Sequence, residues 1–194
     1  MKIVLHEPGI PLNTGNIGRT CAATNTELHL IGPYGFVITE KAIKRAGMDY
    51  WDKIDLHEYI DYEDFLEKHP YLFSENADGA GSEKGSEGKP RLWFATTKAR
   101  QTYTDANFGP DDFIMLGNES RGIPEEILVR HPESCIRIPM WGDIRSLNLA
   151  NSAAIILYEA LRQNGFENME KRGNLHRLSW DDGQIIPAGP ENKL

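Results

Sequence analysis

The chain has 194 residues, enough for one domain with a single hydrophobic core. Its formal net charge of −8 argues against bulk electrostatic binding to nucleic acid, although the acidic residues concentrate in segments 55–87 and 181–191 and leave room for a local basic face. No apolar run approaches the ~20 residues that span a bilayer, and the N-terminus shows no secretory signal. Cys21 and Cys135 have no C-x-x-C partner, so we expect buried, reduced thiols in a cytoplasmic protein.

The N-terminal part of the chain predicts a βαβ unit. Strands are expected at Lys2–His6 and Glu27–Ile31, with a helix over Gly15–Thr24 between them. This order favours a parallel sheet with right-handed crossovers. A short basic helical turn is predicted over Lys41–Ala46, and an amphipathic helix over Asp61–Lys68.

A polar, glycine-rich segment separates this part from the rest. Residues 74–90 have a low-complexity composition that cannot bury apolar area, so we expect a flexible surface insertion there. The predicted elements that follow are three strands (Arg91–Thr96, Asp112–Leu116 and Cys135–Pro139), a helix over Ile123–His131 and a long helix over Leu147–Asn164. Gly165 is expected to end the long helix. Beyond Gly173 the tail mixes proline, glycine and charge, and isolated apolar residues such as Trp180 are candidates for docking on the body.

Three polar loops each follow an apolar strand and open a helix. They are Asn13–Thr20, Leu116–Pro124 and Ile138–Ser152. The start of a helix presents free N–H groups, and the residues after a strand present free carbonyls. Where the three loops converge, they could hold a small ligand with an adenine edge and a carboxylate.

Together these loops resemble the SPOUT class of RNA methyltransferases, and more narrowly its compact family that 2′-O-methylates the wobble nucleotide of tRNA, a cytidine or uridine. The match runs in order through nearly all of residues 1–166, from the Ile-Val-Leu-His-Glu-Pro run at residue 3 to the Tyr-Glu-Ala-Leu-Arg-Gln run at residue 158. The chain departs from the family pattern at Gly18, where a bulky apolar residue is usual, and at Asn118, Ser120 and Leu147.

The resemblance implies an α/β fold, in which a parallel sheet carries helices on both faces and ends in a C-terminal deep trefoil knot. It implies a homodimer with S-adenosylmethionine bound in the knot and tRNA as the substrate. The methyltransferase domain then covers residues 1–166, and residues 167–194 form an irregular tail. The small residues of the long helix, Ala150, Ala153 and Ala154, favour close helix approach in such a dimer.

Transfer of a methyl group from a sulfonium to a ribose hydroxyl needs in-line geometry, a route for the hydroxyl proton and a docked phosphate backbone. It needs no metal, and we expect none. Arg19 is the first candidate, either as a surface ion pair or, as we favour, as a ligand of the target hydroxyl and its neighbouring phosphate. The family is often assigned an arginine base here, but a guanidinium stays protonated, which favours an orienting role.

Four more polar residues complete the candidate catalytic set: Asn13, Glu119, Arg145 and Asn148. Asn13 can cap the first helix, and the resemblance adds that it holds Arg19 or the ribose. Glu119 is an ordinary loop carboxylate or, as its neighbours favour, orients an arginine in the site. Asparagine has a low helix propensity, so Asn148 in the first turn of the predicted helix favours a functional polar role.

Cofactor binding is expected at strand ends and a glycine-flanked loop, chiefly through backbone groups, at Ala95, Gly117, Ile138, Ser146 and Leu147. Ser146 can equally be the N-cap of the last helix. Lys41, Lys44 and Arg45 form either a solvated charged face or a phosphate-docking patch, and Arg121 and Tyr158 join them as candidate RNA contacts. Tyr158 would most often be a core residue, and the resemblance places it near the dimer contact.

Two rival functions remain open from the sequence. One is the same reaction on ribosomal RNA, and the other is a knotted RNA-binding or assembly protein without catalysis. A Rossmann-type dehydrogenase is disfavoured, because no G-x-G-x-x-G follows the first strand.

Overall fold

The computed structural model describes residues 1–36, 50–72, 89–177 and 180. The helical turn expected over Lys41–Ala46 and residues 74–88 of the expected insertion lie outside these residues. No helix in the described ranges is both long and apolar enough to cross a membrane.

The described residues contain seven strands: β1 (Lys2–His6), β2 (Glu27–Ile31), β3 (Leu56–Tyr59), β4 (Leu92–Ala95), β5 (Gln101–Thr102), β6 (Phe113–Leu116) and β7 (Cys135–Arg137). They form one parallel sheet in the order β3-β2-β1-β6-β4-β7-β5. A parallel sheet is covered on both faces, so its central strands are apolar throughout. All four residues of β6 are buried, as this predicts.

Helices cover both faces of the sheet. They are α1 (Pro11–Thr24), α2 (Tyr62–Lys68), α3 (Glu125–Leu128) and α4 (Leu149–Gln163). Ile3 and Leu5 of β1 pack in one core cluster with α1 and α4. Val4, which points to the opposite face, packs in a second cluster with Phe65 of α2 and Leu128 of α3. The predicted parallel α/β architecture with helices on both faces is therefore confirmed.

The bounds of helices α1, α3 and α4 differ from the predictions. Helix α1 begins at Pro11 rather than Gly15, because proline suits the first turn of a helix, and this places Asn13 inside the helix rather than at its cap. Helix α3 spans only Glu125–Leu128, since the chain then turns into a 3-10 helix that starts at Pro132.

Helix α4 begins at Leu149, and its N-cap is Asn148, whose side chain accepts hydrogen bonds from the backbone of Ala150 and Asn151. The interpretation of Ser146 as the N-cap is therefore wrong. Ala150 and Ala153 are buried in the core cluster that includes α1 residues, so they serve packing within the chain rather than between copies.

Two strands were not predicted, and three, β4, β6 and β7, are shorter than expected. Strand β3 carries the polar residues His57 and Glu58 and only one fully buried side chain, and β5 has only two residues. Strand β7 ends at Arg137 rather than Pro139. Short edge strands show little hydrophobic alternation, so their assignment depends on pairing with neighbouring strands.

The end of α4 is tied to the segment that precedes β6. The backbone N–H of Phe108 donates to Gln163 Oε1 (2.9 Å), and Gln163 Nε2 donates to the carbonyl of Ala106 (3.0 Å). Asn164 Nδ2 donates to the carbonyl of Phe108 (3.0 Å). These bonds fix the last helix beside the loop that enters the central strand.

Both cysteines are buried and free, as expected. Burial raises the pKa of the Cys21 thiol to about 12, so it is protonated and unreactive at neutral pH. Trp180 is exposed, so this tail residue does not dock on the body.

Candidate active site

A cavity of about 600 Å³ lies at the carboxyl edge of the sheet, beyond the ends of β4, β6 and β7. Ligand sites of α/β proteins commonly occupy this edge, and the volume suits a nucleoside-sized ligand. All five residues expected to hold a cofactor line the cavity: Ala95, Gly117, Ile138, Ser146 and Leu147. The three predicted loops therefore meet at one place.

A chain of side-chain hydrogen bonds joins the three loops at one wall of the cavity. Asn13 Nδ2, in α1, donates to Glu119 Oε1 (3.0 Å) in the loop after β6. Asn148 Nδ2, at the start of α4, donates to Asn13 Oδ1 (3.0 Å). Because Asn148 Oδ1 also accepts two backbone N–H groups of α4, every member of this chain has a fixed orientation.

Glu119 is held by the start of α1 rather than by an arginine. Its carboxylate accepts from the backbone N–H groups of Gly9 (2.8 Å) and Ile10 (3.2 Å), in addition to Asn13. Partial burial alone would raise the pKa of Glu119, but these hydrogen bonds outweigh it and lower the pKa below its usual range. The expected arginine partner is not among its contacts in the described part of the chain, and Arg121 instead pairs with Glu7 (2.8 Å).

The loop after β6 is a tight turn with no space for a side chain at Gly117. A Cβ atom there would lie 2.2 Å from backbone atoms of Gly122 and Ile123. Asn118 shapes the turn, since its Oδ1 accepts the N–H groups of Ser120 (2.9 Å) and Arg121 (3.2 Å). Asparagine at position 118, a departure from the family pattern, therefore has a structural role in this turn.

The segment between β7 and α4 forms the outer wall of the cavity. Arg145, Ser146 and Leu147 line it, and all residues from 141 to 148 are exposed. Arg145 is thus a cationic side chain between the cavity and solvent.

Arg19 lies away from this wall. Its guanidinium lies over the ring of Tyr50 (4.9 Å to the centroid), and Tyr50 in turn donates its hydroxyl to the carbonyl of Gly15 (2.8 Å). Six positions separate Arg19 from Asn13, which puts the two on different faces of α1. In a single chain, Arg19 therefore does not converge with the three loops as expected.

Gly18, on the same helix, packs against the 3-10 helix Trp51–Lys53. A Cβ atom at residue 18 would come within 2.8 Å of Ile54 and 3.0 Å of Trp51. These two side chains occupy the space of the bulky residue that is usual in the family.

Comparison with known proteins identifies the family. The model of the SpoU rRNA Methylase family matches residues 1–158. The chain belongs to the SpoU methylase family.

Relatives of this SpoU methylase are similar over nearly their whole length. The tRNA (cytidine(34)-2'-O)-methyltransferase of Photorhabdus asymbiotica is 41% identical over 167 residues, which cover 86% of this chain and 95% of the relative. A solved structure described as "Structural insights into the 2-OH methylation of C/U34 on tRNA" is 38% identical, with a TM-score of 0.70, and the match covers 84% of this chain and 95% of that chain.

A more distant structure shares the fold. AviRb from Streptomyces viridochromogenes, solved in complex with the cofactor AdoMet, is 23% identical with a TM-score of 0.68 over 84% of this chain and 60% of its own. The family resemblance inferred from the sequence is thus confirmed.

The structure of this SpoU methylase places two of the candidate RNA contacts. Tyr158 is exposed on α4 rather than in the core, and Arg121 lines the cavity while paired with Glu7. Lys41, Lys44 and Arg45 lie outside the described residues. Two contact residues were not predicted from the sequence. Glu7 pairs with Arg121, and the backbone N–H of Gly9 donates to Glu119. Their position just after the buried strand β1 could have indicated them.

Proposed function

We propose that this SpoU methylase transfers a methyl group from S-adenosylmethionine to the ribose 2′-hydroxyl of the wobble nucleotide, a cytidine or uridine, of tRNA. The observation that carries this proposal is the near full-length similarity to a tRNA (cytidine(34)-2'-O)-methyltransferase. The solved structure concerned with C/U34 methylation supports the same substrate.

The cavity fits S-adenosylmethionine by size and by chemistry. Leu116, Ile138 and Leu147 offer apolar walls for an adenine ring, and the glycine turn after β6 brings backbone groups to the cavity without side-chain bulk. The residues proposed to hold the cofactor are Ala95, Gly117, Ile138, Ser146 and Leu147. When bound, the cofactor supplies a methyl group on a sulfonium, which is electrophilic without a metal.

Asn13, Glu119 and Asn148 act in this proposal as positioning residues. The Glu119 carboxylate already accepts three hydrogen bonds, and both ends of the Asn13 amide are engaged. They hold the loop after β6 and the start of α4 in fixed positions relative to each other, so that the cavity is preformed. Arg145, at the cavity mouth, is the described cation best placed to meet an RNA phosphate there.

Arg19 is proposed to orient the target ribose and its phosphate, from a position at a homodimer interface. It shares the exposed face of α1 with Leu12, seven positions earlier. Leu12 is 70% exposed, and Ile155 and Tyr158 on the neighbouring α4 are 37% and 44% exposed. Burial of these apolar side chains against a second copy would bring Arg19 to the interface.

The deep trefoil knot also belongs to this proposal. Strand β7 is inserted between β4 and β5, although both come before it in the chain and β6 follows them. The end of α4 then ties back to residues 106 and 108. This arrangement supports a C-terminal segment threaded through the β4–β6 connection. The residues proposed to contact tRNA are Lys41, Lys44, Arg45, Arg121 and Tyr158. The proposed location of the reaction is the cytoplasm.

The decisive experiment is mass spectrometry of RNA nucleosides from cells with and without the gene. We expect loss of 2′-O-methylation at tRNA position 34, and restoration by the intact gene but not by an Arg19→Ala variant. Loss of a methyl group from ribosomal RNA instead would support the second candidate function, ribose 2′-O-methylation of ribosomal RNA. The description of the matching family, SpoU rRNA Methylase, favours that alternative. Unchanged methylation in both RNAs would contradict the proposal.

A further inference from the structure

A cluster of histidine and carboxylate side chains lies at the amino end of the sheet, opposite the cavity. Glu27 is the first residue of β2, and His29 follows it on the same face of that strand. His57 of β3 is the register partner of His29, and their rings stack with centroids 4.6 Å apart. One ligand atom from each of the three residues lies within 4.8 Å of the others.

The distances between these atoms are close to those in a metal coordination shell. Glu27 Oε2 lies 3.3 Å from His29 Nε2 and 3.8 Å from His57 Nε2. Ligand atoms about 2.0–2.1 Å from a tetrahedral zinc ion are roughly 3.3 Å apart. Because the two rings are stacked at 14°, the half-exposed His57 ring would turn so that both Nε2 lone pairs point to one ion. Lys2 pairs with the other oxygen of Glu27, Oε1 (3.6 Å), and leaves Oε2 available.

Each imidazole has an Nε2 atom that lies near a carboxylate oxygen but makes no hydrogen bond: His29 Nε2 is 3.3 Å from Glu27 Oε2, and His57 Nε2 is 3.0 Å from Asp55 Oδ1. His29 is only 1% exposed, and neither its Nε2 nor that of His57 makes a hydrogen bond. A buried polar atom without a partner costs free energy, so such atoms call for an explanation. A cation bound by the two Nε2 atoms and by the carboxylate of Glu27 would satisfy all three side chains.

A second layer of contacts prepares His29 to be a ligand. Its Nδ1 lies 2.8 Å from the hydroxyl of Tyr59. When Nδ1–H donates to this hydroxyl, the ring is oriented and the lone pair is on Nε2. Neutral imidazole is the form that binds metal.

We propose that Glu27, His29 and His57 bind one zinc ion, with a fourth position taken by Asp55 or water. Two imidazoles and a carboxylate are a ligand set that zinc favours. Asp55 Oδ1 lies 3.0 Å from His57 Nε2 and is close enough to join them. The ion would tie the edge strand β3 to β2, a structural role separate from methyl transfer and contrary to the expectation of a metal-free chain.

Calorimetric titration of the untagged, metal-free chain with zinc chloride tests the site. We expect one zinc ion per chain, with an affinity at least about tenfold weaker in His57→Ala. His57 is the residue to change because its side chain is 41% exposed, so the core tolerates its removal. His176→Ala, at an exposed histidine far along the chain, is the matched control and should bind zinc like the wild type.

Two further measurements distinguish a specific zinc site from nonspecific metal binding. Zinc should raise the melting temperature of the wild type and of His176→Ala, but not that of His57→Ala or Glu27→Gln. Cobalt substituted for zinc should give the strong visible absorption of a four-coordinate site, lost in the same two variants. Absence of zinc binding in the wild type, or equal binding by His57→Ala and Glu27→Gln, would overturn the proposal.

Discussion

Asn13 shows at the residue scale how one amide can position two loops. It is buried, it donates to Glu119 and it accepts from Asn148, so both ends of the side chain are used within the protein. The helix-cap role considered from the sequence does not describe it, because Asn13 lies inside α1. Its contacts make it the link between the cavity wall and the start of α4.

Replacing Asn148 with alanine should destabilise the protein by about 1–2 kcal/mol, because the helix loses its N-cap and Asn13 loses a donor. S-adenosylmethionine should also bind more weakly, since the start of α4 borders the cavity. Urea unfolding and calorimetry measure the two effects. Asn151→Ala, at an exposed position one turn into the same helix, should change neither, and equal losses in both variants would contradict this role.

Glu119 should make stability depend on pH. Hydrogen bonding holds its folded-state pKa below the unfolded value of about 4.3. Its contribution is therefore complete above that pH and is lost as the pH falls through the lower, folded-state pKa. Glu119→Gln should be less stable than the wild type at pH 7, and the difference should shrink towards pH 3. The exposed Glu126→Gln is the control, and a difference independent of pH would argue against the carboxylate.

At the scale of an element, the turn after β6 depends on the absence of a side chain. Gly117→Ala should abolish or strongly weaken cofactor binding, because the new methyl group would overlap the backbone of Gly122 and Ile123. Calorimetry with S-adenosylmethionine measures this. Gly35→Ala, where a Cβ atom meets nothing within 4 Å, should bind normally, and unchanged affinity in Gly117→Ala would refute the placement of the cofactor.

The sequence predicted those elements whose patterns are local. Buried strands such as β1 and β6 are continuous apolar runs, and α4 has a wide apolar stripe, so each was recognisable alone. Strand β3 was missed because it is half polar and is defined by pairing with β2. Helix α3 was predicted too long, because after Leu128 the backbone bonds become 3-10 in type, as in Arg130 N–H to Ile127, and composition does not distinguish these from α-helical bonds.

The residues of the site were predictable from the sequence, but their contacts were not. The three loops, Asn148 and the five cavity-lining residues proposed to hold the cofactor were predictable, because they lie at strand ends and helix starts in loops rich in glycine and polar residues. The predicted arginine partner of Glu119 was wrong, and no partner was predicted for Arg121. Their observed partners, Gly9 and Glu7, are more than a hundred positions away in the chain. The pair His29 and His57 likewise depends on sheet register.

At the scale of the whole molecule, the exposed apolar side chains of α1 and α4 predict a dimer. Light scattering at micromolar concentration should give twice the chain mass of 21.9 kDa for the wild type. Ile155→Glu should give a monomer, because a carboxylate would be buried at the interface. Ile60→Glu, at an exposed position elsewhere, should remain dimeric, and a monomeric wild type would contradict the prediction.

The position of β7 has a consequence for synthesis of the protein. Residues 135–137 fill the gap between β4 and β5, yet they leave the ribosome after both of those strands. Until they arrive, the apolar strand β4 has one edge without a partner, and such edges promote aggregation. A nascent chain that stalls before residue 135 would expose that edge, so translation through this point is the vulnerable interval in which chaperones would matter most.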